Sequence, residues 1–446
     1  MRISLPEDVK RIIARLAEKG YEAFAVGGCV RDTLLGRTPE DWDITTSASP
    51  MQVKEIFAHT IDTGIQHGTV TVMLNHVGYE VTTYRIDGEY EDARHPKEVT
   101  FTANLVEDLK RRDFTINAMA YNDERGLVDE FGGEEDLKNG VIRCVGNPLE
   151  RFSEDALRML RAIRFAAQLG FVIEGETKAA IAKLAPTIAK VSAERIATEL
   201  VKTLVSKNPQ DIRIAYELGL TKVFLPEFDD MMVTPQNSKH HIYSVGEHTL
   251  VALSHTPADK VLRITMLLHD VAKPPCISTD SEGHNHFYGH PQKGVRMAKE
   301  ILRRLKFDNN TIDDVSALIL YHDERPKLEP ETIRRFYSQT GLTLCPKLFA
   351  VKRADALAQS MYRREEKLSY VDGLEQIYED IIKNHICVQK KDLSVNGKDL
   401  IDMGMKPGKD IGYVIDRLLD AVLKDPEQNN REKLLSLANK LATPFI

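Results

Sequence analysis

Asp41 and Asp43 flank a single residue in the stretch EDWDITT. On a strand, residues i and i+2 point to one face, so this spacing sets two negative charges side by side. A hard divalent cation such as Mg²⁺ relieves that repulsion, and a pair of such ions activates an attacking hydroxyl and stabilises a leaving phosphate. Alone, the pair also suits a solvated edge. The preceding residues narrow the choice. Gly27-Gly28 closes YEAFAV and opens VRDTLLG, which reads as a short helix. A glycine turn running into a helix start lets backbone N–H groups approach a phosphate, and Arg31 in the first turn can reach the same anion. Strand, turn, helix and then D-x-D point to phosphoryl transfer. Farther on, Arg111-Arg112-Asp113 offers two cations and an anion at a helix start, and Asn117 one turn later could orient a sugar hydroxyl.

In EDALRMLRAIRFAAQLGF, Asp155, Arg158, Arg161 and Arg164 recur every three residues, with Leu157, Leu160 and Ile163 on the other flank. This is a slowly drifting polar stripe on a helix. Cytosine and adenine both present an amino donor beside a ring-nitrogen acceptor. An aspartate accepts from the amino group, while an arginine one turn on donates to the ring nitrogen. Guanine and uracil reverse the pattern and leave the protein groups unpaired. Asp155 and Arg158 could therefore select C or A without a nucleic-acid template. Arg161 and Arg164 would hold triphosphate or orient the helix.

Residues 241–360 carry a different chemistry. His248, His269-Asp270, His290, His322 and Asp355 each lie on or beside an apolar helical segment. One such histidine is ordinarily a satisfied core residue. The set, spread over successive helices, suits Mn, Fe, Co, Ni or Zn, and the adjacent Asp270 could bridge two ions.

GGCVRD, EDWDITT, RRDFTINAMAY (111–121), DEFGG (129–133), EDALRMLRAIRFAAQLGF (154–171) and ERIATEL (194–200) together resemble the successive motifs of class II tRNA nucleotidyltransferases. These are the CCA-adding enzymes of the polymerase-β-like superfamily, close relatives of bacterial poly(A) polymerases. The resemblance implies that Asp41 and Asp43 are the catalytic Mg²⁺ carboxylates, with Glu80 a candidate third. It places Gly28, Arg31 and Arg112 near the incoming nucleotide and gives base selection to the stripe that holds Asp155 and Arg158. The reaction implied is attack of a tRNA 3′-hydroxyl on the α-phosphate of CTP or ATP, releasing pyrophosphate. The order H…HD…H…H…D resembles HD-superfamily phosphohydrolases, which implies an appended hydrolase on RNA ends. An arginine-rich poly(A) polymerase signature is absent, and RIDGEYEDARHPKEVTF stands where CC-adding relatives lack a loop. Full CCA addition is thus favoured over poly(A) or CC synthesis, and over an HD phosphohydrolase with an RNA-binding front.

These groups need elements to hold them. Residues 5–19 read as an amphipathic helix, and 21–28, 41–46, 68–74, 79–85, 127–131 and 141–145 as strands. Residues 86–104 read as a long loop and 105–120 as a helix; beyond 150 the helical period dominates. The expected fold is α+β: a polymerase-β-like nucleotidyltransferase head (1–148), a helical neck (149–225), an HD-type helical domain (226–365) and a helical tail (366–446). Basic pairs at 303–304, 334–335, 352–353 and 363–364 could track the phosphates of a tRNA acceptor stem. The tail resembles that of the same family, with RNA or a second copy (a homodimer) as its partner.

The chain has 446 residues, a net charge of −7 and 42% hydrophobic side chains. Those values exclude a collagenous or wholly disordered protein and one that coats nucleic acid by bulk charge. Five separated cysteines without C-x-x-C favour reduced thiols over disulfides. With neither an apolar leader nor a membrane span, the expectation is a soluble cytoplasmic enzyme.

Overall fold

The computed structural model describes residues 3–88 and 99–443. The chain divides into two units, Met1–Pro226 and Glu227–Ile446, and is mixed α+β.

In the first unit, α1 (Glu7–Glu18) buries Val9, Ile12 and Leu16. It leads to β1 (Ala23–Val26), whose four residues are all buried, as a central strand requires. α2 (Gly28–Leu34), β2 (Ile44–Thr46), α3 (Pro50–Ile56), β3 (Thr60–Gly64), β4 (Thr69–Leu74) and β5 (Val77–Thr83) follow. A reciprocal cap between Ser49 and Gln52, with Pro50 at the first position, starts α3. β6 (Arg85–Asp87) pairs antiparallel with β7 (Val99–Phe101), so the ends of the expected loop over 86–104 are strands; residues 89–98 lie outside the described part. Next come α4 (Leu105–Lys110), β8 (Ala120–Asn122) and β9 (Gly126–Val128). The main sheet runs β3-β4-β5-β2-β1-β8-β9, with β2 and β5 its parallel pair.

Two expectations fail here. The helix expected over 105–120 ends at Lys110, so Arg111 to Asp113 follow a helix rather than start one. Residues Asp113 to Asn122 are all buried and pass through a single 3₁₀ turn at Thr115–Asn117 into β8. A segment buried on every side must pair its backbone with neighbours, and Thr115 N–H donates to the Arg143 carbonyl. The D-x-D pair also sits just before β2 rather than on it, although Val26 N–H donates to the Asp43 carbonyl and prolongs the ladder.

The rest of this unit is largely helical: α5 (Gly133–Asn139), β10 (Val141–Ile142), α6 (Pro148–Glu154), α7 (Leu157–Leu169), β11 (Val172–Ile173), α8 (Gly175–Leu184), α9 (Ala193–Leu204), α10 (Ile212–Glu217) and α11 (Thr221–Phe224). The stripe over 155–164 does not lie on one helix. Asp155 occupies the break between α6 and α7, with extended backbone.

α12 (Pro226–Val233) begins on the last residue of the first unit. The second unit contains α13 (Val245–Ser254), α14 (Lys260–Leu268), a small hairpin of β12 (Ser278–Thr279) and β13 (Asn285–His286), α15 (His290–Arg304), α16 (Asn309–Tyr321), α17 (Pro330–Thr340), α18 (Cys345–Ala358), α19 (Arg364–Lys383), α20 (Gly397–Asp402), α21 (Lys409–Lys424) and α22 (Arg431–Ala442). One apolar core gathers Leu318, Tyr337, Leu348, Leu374, Leu418 and Leu434, so residues 366–442 share their core with the preceding helices instead of building their own. Among the described residues, no helix is long and apolar enough to cross a membrane.

Candidate functional site

In the first unit the glycine turn, the sheet edge and α7 meet around one cleft of about 460 Å³. Gly27, Gly28, Arg31, Asp43, Arg112, Asp155, Arg158, Arg161 and Arg164 all line it, as do Asp113 and Asn117. Asp41 is not among the lining residues and is exposed. Seven arginines against three aspartates give the cleft a positive surplus, which suits a polyanion.

Gly27 has φ +81°, and a Cβ there would lie 2.8 Å from Nη1 of Arg112. The bare backbone thus admits the guanidinium to the turn. Arg112 also faces Asp108 at 3.7 Å. Burial would raise the Asp108 carboxyl, but Arg111 and Arg112 outweigh it and hold it below its ordinary value.

The parallel register sets Ile44 opposite Val81, so one residue earlier Asp43 stands beside Glu80. The Asp43 carboxyl is held above the ordinary range by withdrawal from solvent first; Glu80 and Asp41 add to this, against the pull of Arg112. Three carboxylates gathered at one sheet edge are a donor set whose chemistry fits a divalent ion.

The cationic wall is braced from behind. Arg31 donates to Asn117 Oδ1 at 2.7 Å, and Asn117 donates to Asp113 Oδ1 at 3.1 Å. Arg161 closes on Asp113 at 2.6 Å. Although Asp113 is buried, which would raise its carboxyl, Arg161 and the Asn117 hydrogen bond carry it down to about 2. Arg31, Arg161 and Arg164 all pack over the Phe165 ring, at 5.1, 5.4 and 4.0 Å from its centroid. Arg158 binds Glu154 at 2.6 Å and donates to the Arg111 carbonyl at 3.1 Å.

Asp155 accepts from the Leu157 N–H at 3.0 Å and meets Arg195 at 2.6 Å. Sequence reasoning missed Arg195. Its signal was present in ERIATEL, where Arg195 and Glu199 are spaced one turn apart on α9; Glu199 takes Arg164 at 2.5 Å.

In the second unit six expected donors converge. His269 and His322 cap the C-termini of α14 and α16, His290 opens α15, and His248 and Asp355 lie on α13 and α18. The Nδ1 atoms of His269, His290 and His322 face carbonyl oxygens of Met266, Phe287 and Ile319 at 2.8, 2.9 and 2.7 Å. Each Nδ1 therefore carries the proton and each Nε2 presents a lone pair. The ring nitrogens converge: Nε2 of His248 and His269 are 3.4 Å apart, as are those of His290 and His322. Asp270 sits between the two pairs, 3.1 Å from His269 and 3.5 Å from His290. Two ligand triads, His248–His269–Asp270 and Asp270–His290–His322, share that carboxylate. Asp355 lies 2.9 Å from His248. Lone pairs and carboxylates packed this closely fit two bridged metal ions. Lys273, 2.7 Å from Asp270, also went unnoticed in the sequence.

Four members of the basic pairs are held by neighbouring groups. Arg304 binds Glu227, Arg335 binds Asp420, Arg353 binds Asp372 and Glu375, and Arg334 donates to the Leu423 carbonyl.

Family models match three stretches: "Poly A polymerase head domain" over 23–143, "Probable RNA and SrmB- binding site of polymerase A" over 170–232, and a tRNA nucleotidyltransferase domain 2 over 292–438. The chain is 38% identical to the CCA-adding enzyme of Ligilactobacillus salivarius over 98% of both chains. It is 35% identical to that of Enterococcus faecalis, over 98% of this chain and 97% of the relative. The crystal structure of the Bacillus stearothermophilus CCA-adding enzyme in complex with CTP superposes with a TM-score of 0.73 at 30% identity, covering 97% of each chain.

Proposed function

The chain belongs to the family of CCA-adding enzymes, and from that premise we propose that its first unit builds the CCA end of tRNA from CTP and ATP without a nucleic-acid template. One observation carries the reading: a single cleft joins Asp43 and the glycine turn to Asp155 and Arg158.

The tRNA 3′-oxygen attacks the α-phosphorus, its proton is lost, the bond to the bridging oxygen breaks, and pyrophosphate leaves. Asp41, Asp43 and Glu80 would hold Mg²⁺, which supplies charge neutralisation and lowers the pKa of the attacking hydroxyl. Arg31 and Arg112 bind the triphosphate beside the Gly27–Gly28 turn. Asp155 and Arg158 read the pairing edge of C or A, and Arg195 orients Asp155. Arg161 and Arg164, tied to Asp113 and Glu199, fix α7 against the turn at 113–117 and against α9.

The test offers a tRNA ending before CCA with CTP, ATP, UTP and GTP, singly and mixed. CCA product with CTP plus ATP alone is the expected result, and Asp41→Ala with Asp43→Ala abolishes it. Incorporation that survives in that double variant rejects the reading. Runs of A would mean poly(A) synthesis, and CC alone a split pathway.

The histidine–aspartate centre favours a second activity, hydrolysis of a phosphate ester at an RNA end. Water adds to phosphorus, the ester P–O bond breaks, and the departing oxygen takes a proton. His248, His269, Asp270, His290, His322 and Asp355 would hold a transition metal that supplies the hydroxide. Release of phosphate, or opening of a 2′,3′-cyclic phosphate, that vanishes in His269→Ala while incorporation continues supports it. Sedimentation of the full chain tests a second copy as the partner of the C-terminal helices.

A further inference from the structure

A recess of about 450 Å³ opens against His322 and Asp355, walled by Arg325, Lys352, Arg363, Lys367 and His240. Its charges are poorly compensated. Asp355 belongs to the metal-ligand set, and Glu366, the other acid in the wall, is taken by Arg363. The Lys352 ammonium donates to the carbonyls of His322 and Glu324 at 2.8 and 2.5 Å. Lys367 donates to Gln359 Oε1 at 2.5 Å and to His240 Nδ1 at 3.1 Å. Among the described residues neither lysine forms an ion pair, although Asp323 and Asp355 lie near enough to act on Lys352, and Asp355 on Lys367. Arg325 is exposed and makes no hydrogen bond or ion pair among the described residues. Cations crowded round one recess repel, and an anion removes that cost.

An adjoining recess that shares His240 and Arg325 adds a second kind of contact. Its wall includes Tyr362, which is 47% exposed, with its ring 5.0 Å from that of His240. Cations that follow a backbone, with an exposed aromatic ring for a base, are the means by which proteins hold single-stranded nucleic acid.

We infer that this recess binds the phosphodiester one step upstream of the phosphate presented to the metal centre, so that the substrate is the 3′ end of an RNA chain and not a free mononucleotide. The inference rests on the hydrolytic reading of the histidine–aspartate centre. Arg325 and Lys367 grip the upstream phosphate, and Tyr362 stacks on the adjoining base.

The test compares 2′,3′-cyclic CMP with the dinucleotide CpC bearing a 2′,3′-cyclic phosphate, using the full chain loaded with Mn²⁺. The wild type favours the dinucleotide in kcat/KM. Arg325→Ala lowers the dinucleotide-to-mononucleotide ratio about tenfold, through KM rather than kcat. A ratio that does not change overturns the inference. A binding measurement separates it from the hydrolytic reading. In an Asp270→Asn background, calorimetry follows 3′-phosphorylated CpC with and without Arg325→Ala. If the wild type cleaves neither substrate, the hydrolytic reading falls. If the two calorimetric affinities match, the subsite falls; a loss of about tenfold sustains it.

Discussion

Arg195 on α9 sets its Nη2 2.6 Å from Oδ2 of Asp155, at the break between α6 and α7. One turn along α9, Glu199 holds Arg164 of α7 at 2.5 Å. A single helix face thus fixes two members of the stripe from outside. Asp155 has no helical backbone to orient it, so its carboxylate direction depends on Arg195 and on the Leu157 N–H.

Arg195→Ala should therefore loosen base selection more than it weakens the fold. The pair is partly exposed, at 23% and 16% of the side chains, so its loss costs little global stability, about 1 kcal/mol. The expected kinetic result is a fall of about tenfold in kcat/KM for CTP and ATP, with a smaller fall for UTP and GTP. Single-nucleotide incorporation with each triphosphate measures the ratio. Undiminished discrimination would remove Arg195 from the selecting machinery.

Gly27→Ala tests the turn. The substitution meets two penalties: a φ of +81°, and a methyl group 2.8 Å from the Arg112 guanidinium. The backbone strain alone is of the order of 1–2 kcal/mol. Because Arg112 must retreat, KM for the triphosphate should rise while the Tm falls by a few degrees, roughly as a loss of 1–2 kcal/mol in a domain of this size implies. Gly20→Ala, with a similar φ of +85° and open space around it, is the control: it carries the strain without the displaced arginine. Equal KM values in the two variants would show that Arg112 does not bind the triphosphate.

The sequence revealed the donors better than their supports. Side-chain chemistry at fixed spacing singled out Asp43, Gly28 and Arg158, which the fold brings to one cleft, and the histidine and aspartate candidates of the second unit, which it gathers around Asp270. The turn at 111–117 was misread because burial there does not follow polarity: Asp113, Thr115 and Asn117 are as buried as Phe114 and Ile116, so no hydrophobic period reports the backbone. Asp155 looked helical because a stripe of spacing three runs through it, although the helix breaks there. Arg195 acts across a tertiary contact forty residues away, and no local pattern reports such a pairing.

Asp113 gives the fold of the cleft a pH dependence. Its folded-state carboxyl is lowered to about 2, with Arg161 and Asn117 overcoming the cost of burial. A lowered folded value means that the unfolded chain binds the proton more readily. The stabilisation is therefore complete above the ordinary aspartate range, near pH 4, and fades as the pH falls toward 2. Its size is of the order of 2 kcal/mol. Wild type should exceed Asp113→Asn in unfolding free energy by a constant amount from pH 5 to 8, and the gap should close between pH 4 and 2. A gap that stays open at pH 2 would mean that the Arg161–Asp113 charge pair is not its source.

Asp270 makes a sharper demand on the second unit. Two triads share its carboxylate, whereas His248 and His269 serve one triad and His290 and His322 the other. Replacing a histidine at one end, His248→Ala or His322→Ala, should remove about one metal equivalent and leave its neighbour. Asp270→Asn should remove both, because the neutral amide cannot bridge two cations with two oxygens. Elemental analysis of chain loaded with Mn²⁺ and desalted gives the stoichiometry. Thermal unfolding gives an independent reading, since each bound ion stabilises the native state by mass action. Chelation of the wild type should lower its Tm to a value that Asp270→Asn already shows without chelator. If Asp270→Asn retains as much metal as either histidine variant, the two triads do not share a bridge, and the centre holds its ions independently.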